Sequence, residues 1–276
     1  MSALKVGVFV DAENIKYNGG YTMRYDVLRR FAARSRSHIL RLNVYMAFDQ
    51  ERAREDGEYA RKAYNYQNSI REYGWKIITK EVRRFTDENG HTTTKANADL
   101  DLAVDALLQA ENLDEILLLS GDGDFVQLVS ALQNKGCRVE LLGFHNVSRQ
   151  LTRQVDAYRS GFLIPDLVPI GYEPRNEWGK PGSCVRGFCS KWFPEKGYGF
   201  LNFLREISPN LWITDHRDPD SPWESVFCHA NELSDEVPPE ELMNRETILE
   251  FYLQESGQVE GGMVAQNVRP VQTNGR

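Results

Sequence analysis

Short apolar runs alternate with helical patterns over the first 165 residues of this chain, and this alternation is what most constrains its fold. Apolar runs of this length are typical of strands covered on both faces, as in a parallel sheet. The predicted strands are Val6–Val10, Leu40–Ala47, Lys76–Thr79, Ile116–Leu119 and Arg138–Leu142. The predicted helices are Tyr25–Ala33, Arg52–Tyr73, Asp99–Ala110, Phe125–Asn134 and Ser148–Asp156. The alternation predicts an α/β domain with a mostly parallel sheet, helices on both faces, and a site at the carboxyl ends of the strands.

The pattern changes after residue 165. Residues 166–182 are rich in proline and glycine, which is typical of a linker. In residues 183–271, short runs of aromatic and β-branched residues are separated by Gly, Pro, Asn and Asp, as in a small all-β barrel. We therefore predict an N-terminal α/β domain at 1–165, a linker at 166–182 and a C-terminal barrel at 183–271.

Charge and composition narrow the function classes. Residues 1–165 carry 23 basic and 22 acidic residues, whereas residues 166–276 carry 10 and 18, so a protein that coats duplex DNA is not favoured. No apolar stretch approaches the roughly 20 residues that span a bilayer, and the N-terminus lacks the layout of a signal peptide. The 4 cysteines show no C-x-x-C spacing. We expect a cytoplasmic protein with reduced thiols and no membrane partner; a homo-oligomer remains open.

Four aspartates are predicted to lie together. Asp11 ends the first apolar run, and Asp122 and Asp124 follow the fourth; Asp99 opens a helical stretch between them. The carboxyl ends of parallel strands share one edge of the sheet. Carboxylates crowded there repel one another unless a hard cation neutralises them. The pattern therefore predicts a site for Mg²⁺ or Mn²⁺ with these four aspartates as ligands.

Three of the four aspartates also have a local explanation. Asp99 is placed to act as an N-cap, and Asp122 and Asp124 lie beside glycines that permit tight turns. For Asp11, at the end of a buried strand, no capping bond is obvious. Helical periodicity places Asp99 within an apolar arc, which is predicted to comprise Leu100, Ala103, Val104, Ala106, Leu107 and Ala110.

Three motifs, in this order, resemble the NYN domain of the PIN-like nucleases. They are Asp11-Ala12-Glu13-Asn14 after an apolar strand, the helix start Asp99–Asp105, and Ser120-Gly121-Asp122-Gly123-Asp124-Phe125. The segment Gly136–Glu140 is similar to the strand that follows the acidic loop in that family. The resemblance covers roughly residues 4–165 and implies a metal-dependent nuclease that usually acts on RNA. By position, it implies a catalytic acidic cluster of Asp11, Asp99, Asp122 and Asp124, with Asn14 as a polar accessory.

The chemistry of phosphodiester hydrolysis agrees with such a cluster. The reaction needs charge neutralisation on the phosphate, an activated water and a stabilised leaving oxygen, and carboxylate-bound divalent cations supply all three. Ser120 and Asn14 are predicted to position a phosphate or a water by hydrogen bonds. The hydroxyl-rich segment Thr86–Asn97 is predicted to be a mobile loop near the site.

A second group of candidate residues is aromatic and lies in the predicted barrel. Strand alternation places Tyr198 and Phe200 on one face of their strand, and Phe227 and His229 on one face of theirs. Aromatic rings on an exposed sheet face stack on unpaired bases. The same rings would equally fill the core of an ordinary barrel, so both interpretations stay open.

This part of the chain resembles a cold-shock domain, a five-stranded OB-type barrel. The segment Lys196–Phe200 is similar to the first RNA-binding motif of that family, and Val226–His229 to the second. The resemblance implies that RNA is bound by Lys191, Trp192, Lys196, Tyr198, Phe200, Phe227 and His229. Residues 204–226 include an insertion with two tryptophans, which either extends the binding face or covers it.

These observations predict a two-domain ribonuclease that cuts RNA, preferably single-stranded, with a divalent cation. The alternative is a non-catalytic RNA-binding regulatory protein with a vestigial acidic cluster. A phosphatase or nucleotide-binding module is disfavoured. Its Gly-rich loop would present bare backbone N–H groups, whereas Gly121-Asp122-Gly123 carries an acid.

Overall fold

A six-stranded parallel sheet forms the N-terminal part of the computed structural model, with strand order β3-β2-β1-β6-β7-β8. Its strands are β1 (Lys5–Asp11), β2 (His38–Phe48), β3 (Lys76–Glu81), β6 (Glu115–Leu119), β7 (Arg138–Gly143) and β8 (Ala157–Ser160). A separate two-stranded hairpin comprises β4 (Arg83–Thr86) and β5 (Thr92–Lys95). The helices are α1 (Ala12–Ile15), α2 (Tyr25–Ala32), α3 (Gln50–Glu55), α4 (Gly57–Glu72), α5 (Asp99–Gln109), α6 (Val126–Asn134) and α7 (Arg149–Gln154).

The structure describes residues 3–86, 92–95, 98–171, 177–237, 242–244, 246–257 and 262–271. The chain divides into two compact units, Met1–Arg159 and Ser160–Arg276. Residues 172–176 of the predicted linker lie outside the described residues.

The central strands β1 and β6 create a switch point in the sheet. β1 pairs in parallel with β2 on one side and with β6 on the other, and β6 pairs in turn with β7. Connections from β1 and from β6 therefore lead to opposite sides, which opens a crevice at their carboxyl ends. All five residues of β6 are buried, as expected for a strand at the centre of such a sheet.

All five strands predicted for this domain are confirmed, whereas one predicted helix is wrong. The segment Arg52–Tyr73 contains two helices rather than one. Asp56 interrupts it with extended backbone (φ −117°, ψ 94°), and its carboxylate accepts hydrogen bonds from the amides of Glu58 and Tyr59. An Asp-Gly pair is a start signal for a new helix, and this local signal overrides the apolar periodicity that runs through it.

In the part of the chain that the structure describes, no helix has the length and apolar character to span a bilayer.

The apolar arc predicted for α5 is confirmed in part, because Ala106 and Ala110 are buried and Ala103 and Leu107 pack against the core. Leu102 and Ala106 are almost fully buried, whereas Leu100 and Val104 are 62% and 45% exposed. The buried row consists of residues four apart, from Ala98 through Leu102 and Ala106 to Ala110. The small residues in this row let the helix approach its neighbours closely, and this packing sets the rotation of the helix.

The segment Thr86–Asn97 is predicted to be a mobile loop. In the structure it contains strand β5, and its first residue, Thr86, is the last residue of strand β4. The backbone of the hairpin pairs residues 83–86 with residues 92–95 in antiparallel register. Residues 87–91 and 96–97 lie outside the described residues.

The second unit contains a closed five-stranded barrel with order β10-β11-β13-β12-β9. The strands are β9 (Cys184–Phe193), β10 (Tyr198–Leu204), β11 (Trp223–His229), β12 (Leu249–Glu255) and β13 (Met263–Pro270). The pair β11–β13 is parallel, and the other pairs are antiparallel. Residues such as Leu201, Phe203 and Val226 fill the core, whereas Tyr198 and Phe200 at the start of β10 stay partly exposed. The predicted fold class, α/β with an all-β barrel, is confirmed.

Candidate functional site: an acidic cluster and an aromatic barrel face

The acidic cluster lies at the switch point of the sheet. Val10 of β1 is in register with Leu119 of β6, so Asp11 and Ser120 follow at adjacent strand ends. Ligands of open α/β sheets bind in the crevice at this place. The sheet therefore brings the motifs that begin at Asp11 and Ser120 together across more than 100 residues of sequence.

Asp11 is buried and accepts two hydrogen bonds. One comes from the amide of Asn14 at 3.1 Å and one from Ser120 Oγ at 2.9 Å. Asp11 is 5% exposed, and its side chain caps α1, so the expectation that it makes no capping bond is wrong. Burial raises its pKa to about 6. The bonds from Asn14 and Ser120 lower this pKa, but the charges of Asp99 and Asp122 add to the effect of burial.

Ser120 and Asn14 brace the cluster from within. The amide of Gly121 donates to Asn14 Oδ1 at 2.7 Å, and the amide of Asp122 donates to Ser120 Oγ at 3.2 Å. Ser120 Oγ in turn donates to Asp11. The sequence suggested that these two residues position a phosphate or water; in the structure they hold the acidic loop against the end of β1.

The acidic loop itself is tightly confined. Asp122 accepts a hydrogen bond from the amide of Asp124 at 3.0 Å and caps a short 3₁₀ turn. The amide of Ser148 donates to the carbonyl of Gly121 at 2.9 Å. A Cβ at Gly121 would lie 3.2 Å from the carbonyl oxygen of Asn146, so glycine is what allows this approach.

Asp99 differs from the other acids of its helix. Asp101 forms an ion pair with Lys80 at 2.9 Å, and Asp105 accepts a hydrogen bond from Tyr45 at 2.8 Å. Burial raises the pKa of Asp99, and the charges of Asp122 and Asp124 raise it further. Asp99 is thus the acid of α5 whose pKa is raised by the charges of the acidic loop.

The four aspartates fit a hard cation in chemical kind. They are carboxylates, the pKa values of Asp11 and Asp99 are raised in part by the charges of their acidic neighbours, and Mg²⁺ needs few protein carboxylates because it keeps several waters. Among the described residues, no group of three or more His, Cys, Asp or Glu side chains is already arranged to hold a metal ion. A cation bound by more than two of these aspartates would therefore require them to draw together.

The barrel carries an aromatic face that is partly exposed. In register, Tyr198 pairs with His229, and Phe200 pairs with Phe227. The ring centroids of Tyr198 and Phe227 are 5.3 Å apart, and those of Phe200 and Phe227 are 6.2 Å apart. The predicted strand alternation is confirmed, because these rings lie on the side opposite the core residues. His229 is exposed, and its Nδ1 accepts a hydrogen bond from the amide of Asn231.

Phe193 belongs to the same face, although the sequence did not single it out. Its ring centroid lies 5.2 Å from that of Tyr198. Lys191 Nζ and Lys196 Nζ lie 4.8 and 5.6 Å from the centroid of the Phe193 ring. The missing signal was the pairing of Phe193 with Tyr198 across the β9–β10 hairpin, because the turn sets the register of a hairpin. Trp192 points the other way and packs against the barrel core.

The insertion between β10 and β11 is held by its own hydrogen bonds. Trp223 Nε1 donates to the carbonyl of Leu211 at 3.2 Å, and Ser221 Oγ donates to the carbonyl of Ile213 at 2.8 Å. The insertion follows Leu204, which pairs with Trp223 at the opposite end of the hairpin from Tyr198. It presents Trp212, whose side chain is 75% exposed.

The chain belongs to the NYN domain family, which matches residues 5–163. It is 27% identical over 161 residues to the low amplitude and bright protein LabA of Synechococcus elongatus. That alignment covers 56% of this chain and 82% of LabA. A protein of unknown function from Vibrio parahaemolyticus has a crystal structure that is similar at a TM-score of 0.46 and 20% identity, over 57% of this chain and 93% of that one.

Proposed function

We propose that this chain is a divalent-metal-dependent ribonuclease that hydrolyses phosphodiester bonds, preferably in single-stranded RNA. The observation that carries the proposal is the set of mutually repelling carboxylates at the switch point, in a family of nuclease-like domains. A buried carboxylate with a raised pKa and carboxylate neighbours is costly to the fold unless a cation binds there.

Asp11, Asp99, Asp122 and Asp124 would hold Mg²⁺ or Mn²⁺. When bound, such a cation neutralises phosphate charge, activates water and stabilises the leaving oxygen. Ser120 and Asn14 keep the Asp11 carboxylate and the acidic loop in fixed relation through their hydrogen bonds. The raised pKa of Asp11 means that the carboxylate becomes fully ionised only above about pH 6, so cation binding should strengthen between pH 5 and 7.

The barrel is proposed to bind the single strand as a cold-shock-like, OB-type domain. Partly exposed rings with lysines beside them support stacking on unpaired bases, which contributes about 1–3 kcal/mol per base. The proposed contacts are made by the aromatic face and its flanking polar residues, namely Lys191, Phe193, Lys196, Tyr198, Phe200, Phe227 and His229. Trp192 would act on this face indirectly, by packing beneath β10.

A non-catalytic RNA-binding protein is the second candidate. Two observations favour it: Asp11 and Asp122 both make local capping bonds, and the described acids are not yet in ligand geometry. Such a protein would retain RNA on the barrel without cutting it.

One assay separates the two candidates. Labelled single-stranded and duplex RNA and DNA are incubated with the full chain in Mg²⁺, Mn²⁺ or chelator, and strand length and retention are measured. A ribonuclease shortens single-stranded RNA only when the metal ion is present. A binding protein retains the RNA at its full length. Shortening that persists in chelator would contradict metal dependence.

Asp99 and Asp101 provide a matched pair for this assay. Asp99→Asn should lower the rate of metal-dependent cleavage by at least about tenfold to a hundredfold, because it removes a proposed ligand. Asp101 lies two residues further along the same helix, and Asp101→Asn removes an acid that already pairs with Lys80, so the rate should stay near wild type. Equal rates for the two variants would remove Asp99 from the site.

A further inference from the structure

An exposed aromatic surface follows the acidic cluster directly along the chain. After Asp11, α1 continues into the segment Lys16–Gly20, which kinks where Asn18 (φ −106°, ψ 23°) and Gly19 (φ 102°, ψ −3°) leave helical geometry. Tyr17 and Tyr21 are 75% and 67% exposed. Because an α-helix rises about 1.5 Å per residue, Tyr17 lies only about 9 Å from Asp11 along the helix axis.

The backbone that carries these two rings is firmly anchored. Asn18 Nδ2 donates to the carbonyl of Asn14 at 2.8 Å, and Asn146 Nδ2 donates to Asn18 Oδ1 at 3.0 Å. Gly20 is buried, and a Cβ there would lie 2.7 Å from the ring of Phe144. The turn is thus fixed to the chain that follows β7 and packed underneath, while its tyrosines face solvent. Rings on a fixed backbone lose little conformational entropy when they bind a flat partner.

A cation and a third tyrosine complete the surface. Lys16 is exposed, and its Nζ lies 5.3 Å from the centroid of the Tyr17 ring. Tyr66 of α4 is 46% exposed, and its hydroxyl lies 3.5 Å from that of the buried Tyr25. Burial is the main cause that raises the pKa of Tyr66; the charge of Lys16 lowers it and Tyr21 raises it, so these residues are neighbours.

We propose that Tyr17, Tyr21 and Lys16 form a stacking subsite for unpaired RNA bases beside the acidic cluster. Two accessible rings match the flat faces of unpaired bases, which duplexes keep stacked on one another. Lys16 supplies the positive charge that draws a phosphate toward an otherwise acidic neighbourhood. The subsite would hold the nucleotides nearest the scissile bond and so select single strands. Its role in cleavage rests on the proposed ribonuclease function, whereas its binding of RNA does not.

Photo-crosslinking of the full chain tests the binding directly. Asp11→Asn with Asp122→Asn prevents cleavage, and a single-stranded oligonucleotide with 4-thiouridine at each position in turn is irradiated in its presence. Mass spectrometry should find crosslinks in the peptide containing Tyr17 and Tyr21. Crosslinks confined to the barrel would overturn the proposal.

Affinity provides a second, independent readout. In the Asp11→Asn, Asp122→Asn background, the barrel's contribution is first removed with Tyr198→Ala and Phe200→Ala, and the remaining affinity for a single strand is measured by fluorescence anisotropy. Tyr17→Ala with Tyr21→Ala should then weaken binding roughly 5- to 150-fold, the range for loss of one stacked base. Phenylalanine at both positions should keep the affinity, because it keeps the rings.

Tyr73→Ala is the matched control for an exposed tyrosine elsewhere in the same unit. Tyr73 is 44% exposed and follows α4 just before β3 begins, at the opposite edge of the sheet from the carboxyl ends. Its replacement should leave affinity unchanged. If the variants with alanine and with phenylalanine at Tyr17 and Tyr21 bind RNA with equal affinity, the proposed subsite is ruled out. Both readouts measure binding without cleavage. If the wild-type chain cuts no RNA, the proposed function is overturned, and the binding measurements still decide whether the subsite exists.

Discussion

Two buried carboxylates of the N-terminal unit are treated in opposite ways. Glu140 is 1% exposed and forms ion pairs with Arg34 and Arg159, so its charge is balanced inside the fold. Asp11 is similarly buried, but the charges that shift its pKa are those of Asp99 and Asp122, which are negative. Stability alone would favour an arrangement like that of Glu140. The cost at Asp11 supports the function proposed for this site.

The raised pKa of Asp11 leads to a prediction about how the stability of the protein depends on pH. The pKa of Asp11 is about 6 in the folded protein, against 3.8 for the unperturbed group. The folded state therefore binds more protons between these values, and the free energy of unfolding falls as pH rises from about 4 to about 6. A two-unit shift corresponds to about 3 kcal/mol as an upper limit.

Denaturant unfolding in chelator, from pH 3.5 to 7.5, measures this effect. Asp11→Asn stays neutral at every pH, so its stability relative to wild type should grow through the interval and level off above it. A difference that is constant, or that shrinks as pH rises, would contradict the account. The comparison uses a variant that keeps the shape of the side chain, so packing stays matched.

At the scale of elements, the site depends on how closely the acidic loop approaches its neighbours. Gly121 lies 3.2–3.3 Å, measured from a hypothetical Cβ, from Asn146, Val147 and Asn14. Its amide and carbonyl both make hydrogen bonds, to Asn14 and Ser148. The loop after β6 is thus held between α1 and the loop after β7, which fixes the direction of Asp122.

Gly121→Ala should disturb this loop selectively. The added methyl meets backbone on two sides, so we expect a loss of about 1 kcal/mol in stability and a larger loss in cleavage, since the acids shift. Gly57→Ala is the control, because a Cβ at Gly57 meets nothing within 4 Å. Thermal unfolding and cleavage rates are compared for both. A Gly121→Ala protein that is destabilised yet cuts at the wild-type rate would show that the loop does not orient the acids.

The elements also show what the sequence could and could not reveal. The apolar strands and the acids at their ends were predictable, because strand period and charge are local properties. The rotation of α5 was not, since Leu100 and Leu102 are equally apolar and only packing decides which is buried. The surface of Tyr17 and Tyr21 was missed as well, because it depends on a kink at Asn18 and Gly19 that the distant Asn146 helps to fix.

At the scale of the whole molecule, a proposed cutting unit and a proposed strand-binding barrel share one chain. Tethering raises the local concentration of bound RNA at the acidic cluster without any new contact. This matters because the acidic cluster repels phosphates, and because the second part of the chain is itself acidic. The aromatic face offsets this repulsion by stacking, which depends less on charge than phosphate contacts do.

The tether predicts a dependence on RNA length. Tyr198→Ala with Phe200→Ala should raise KM for long single strands severalfold and leave kcat unchanged, because binding rather than chemistry is lost. Cleavage of short oligonucleotides should be spared. Tyr252→Ala, a partly exposed ring on β12, is the control and should alter neither constant. Unchanged KM for long strands in the double variant would mean that the face binds no substrate.

Calorimetric titration of Mn²⁺ into the full chain at pH 7.5 tests the central claim most directly. We expect saturable binding by the wild type, accompanied by an increase in thermal stability. Asp11→Asn with Asp122→Asn should weaken this binding at least about tenfold, while Asp101→Asn should bind as the wild type does. Identical titrations for all three proteins, or no binding by the wild type, would show that the four aspartates do not hold a cation.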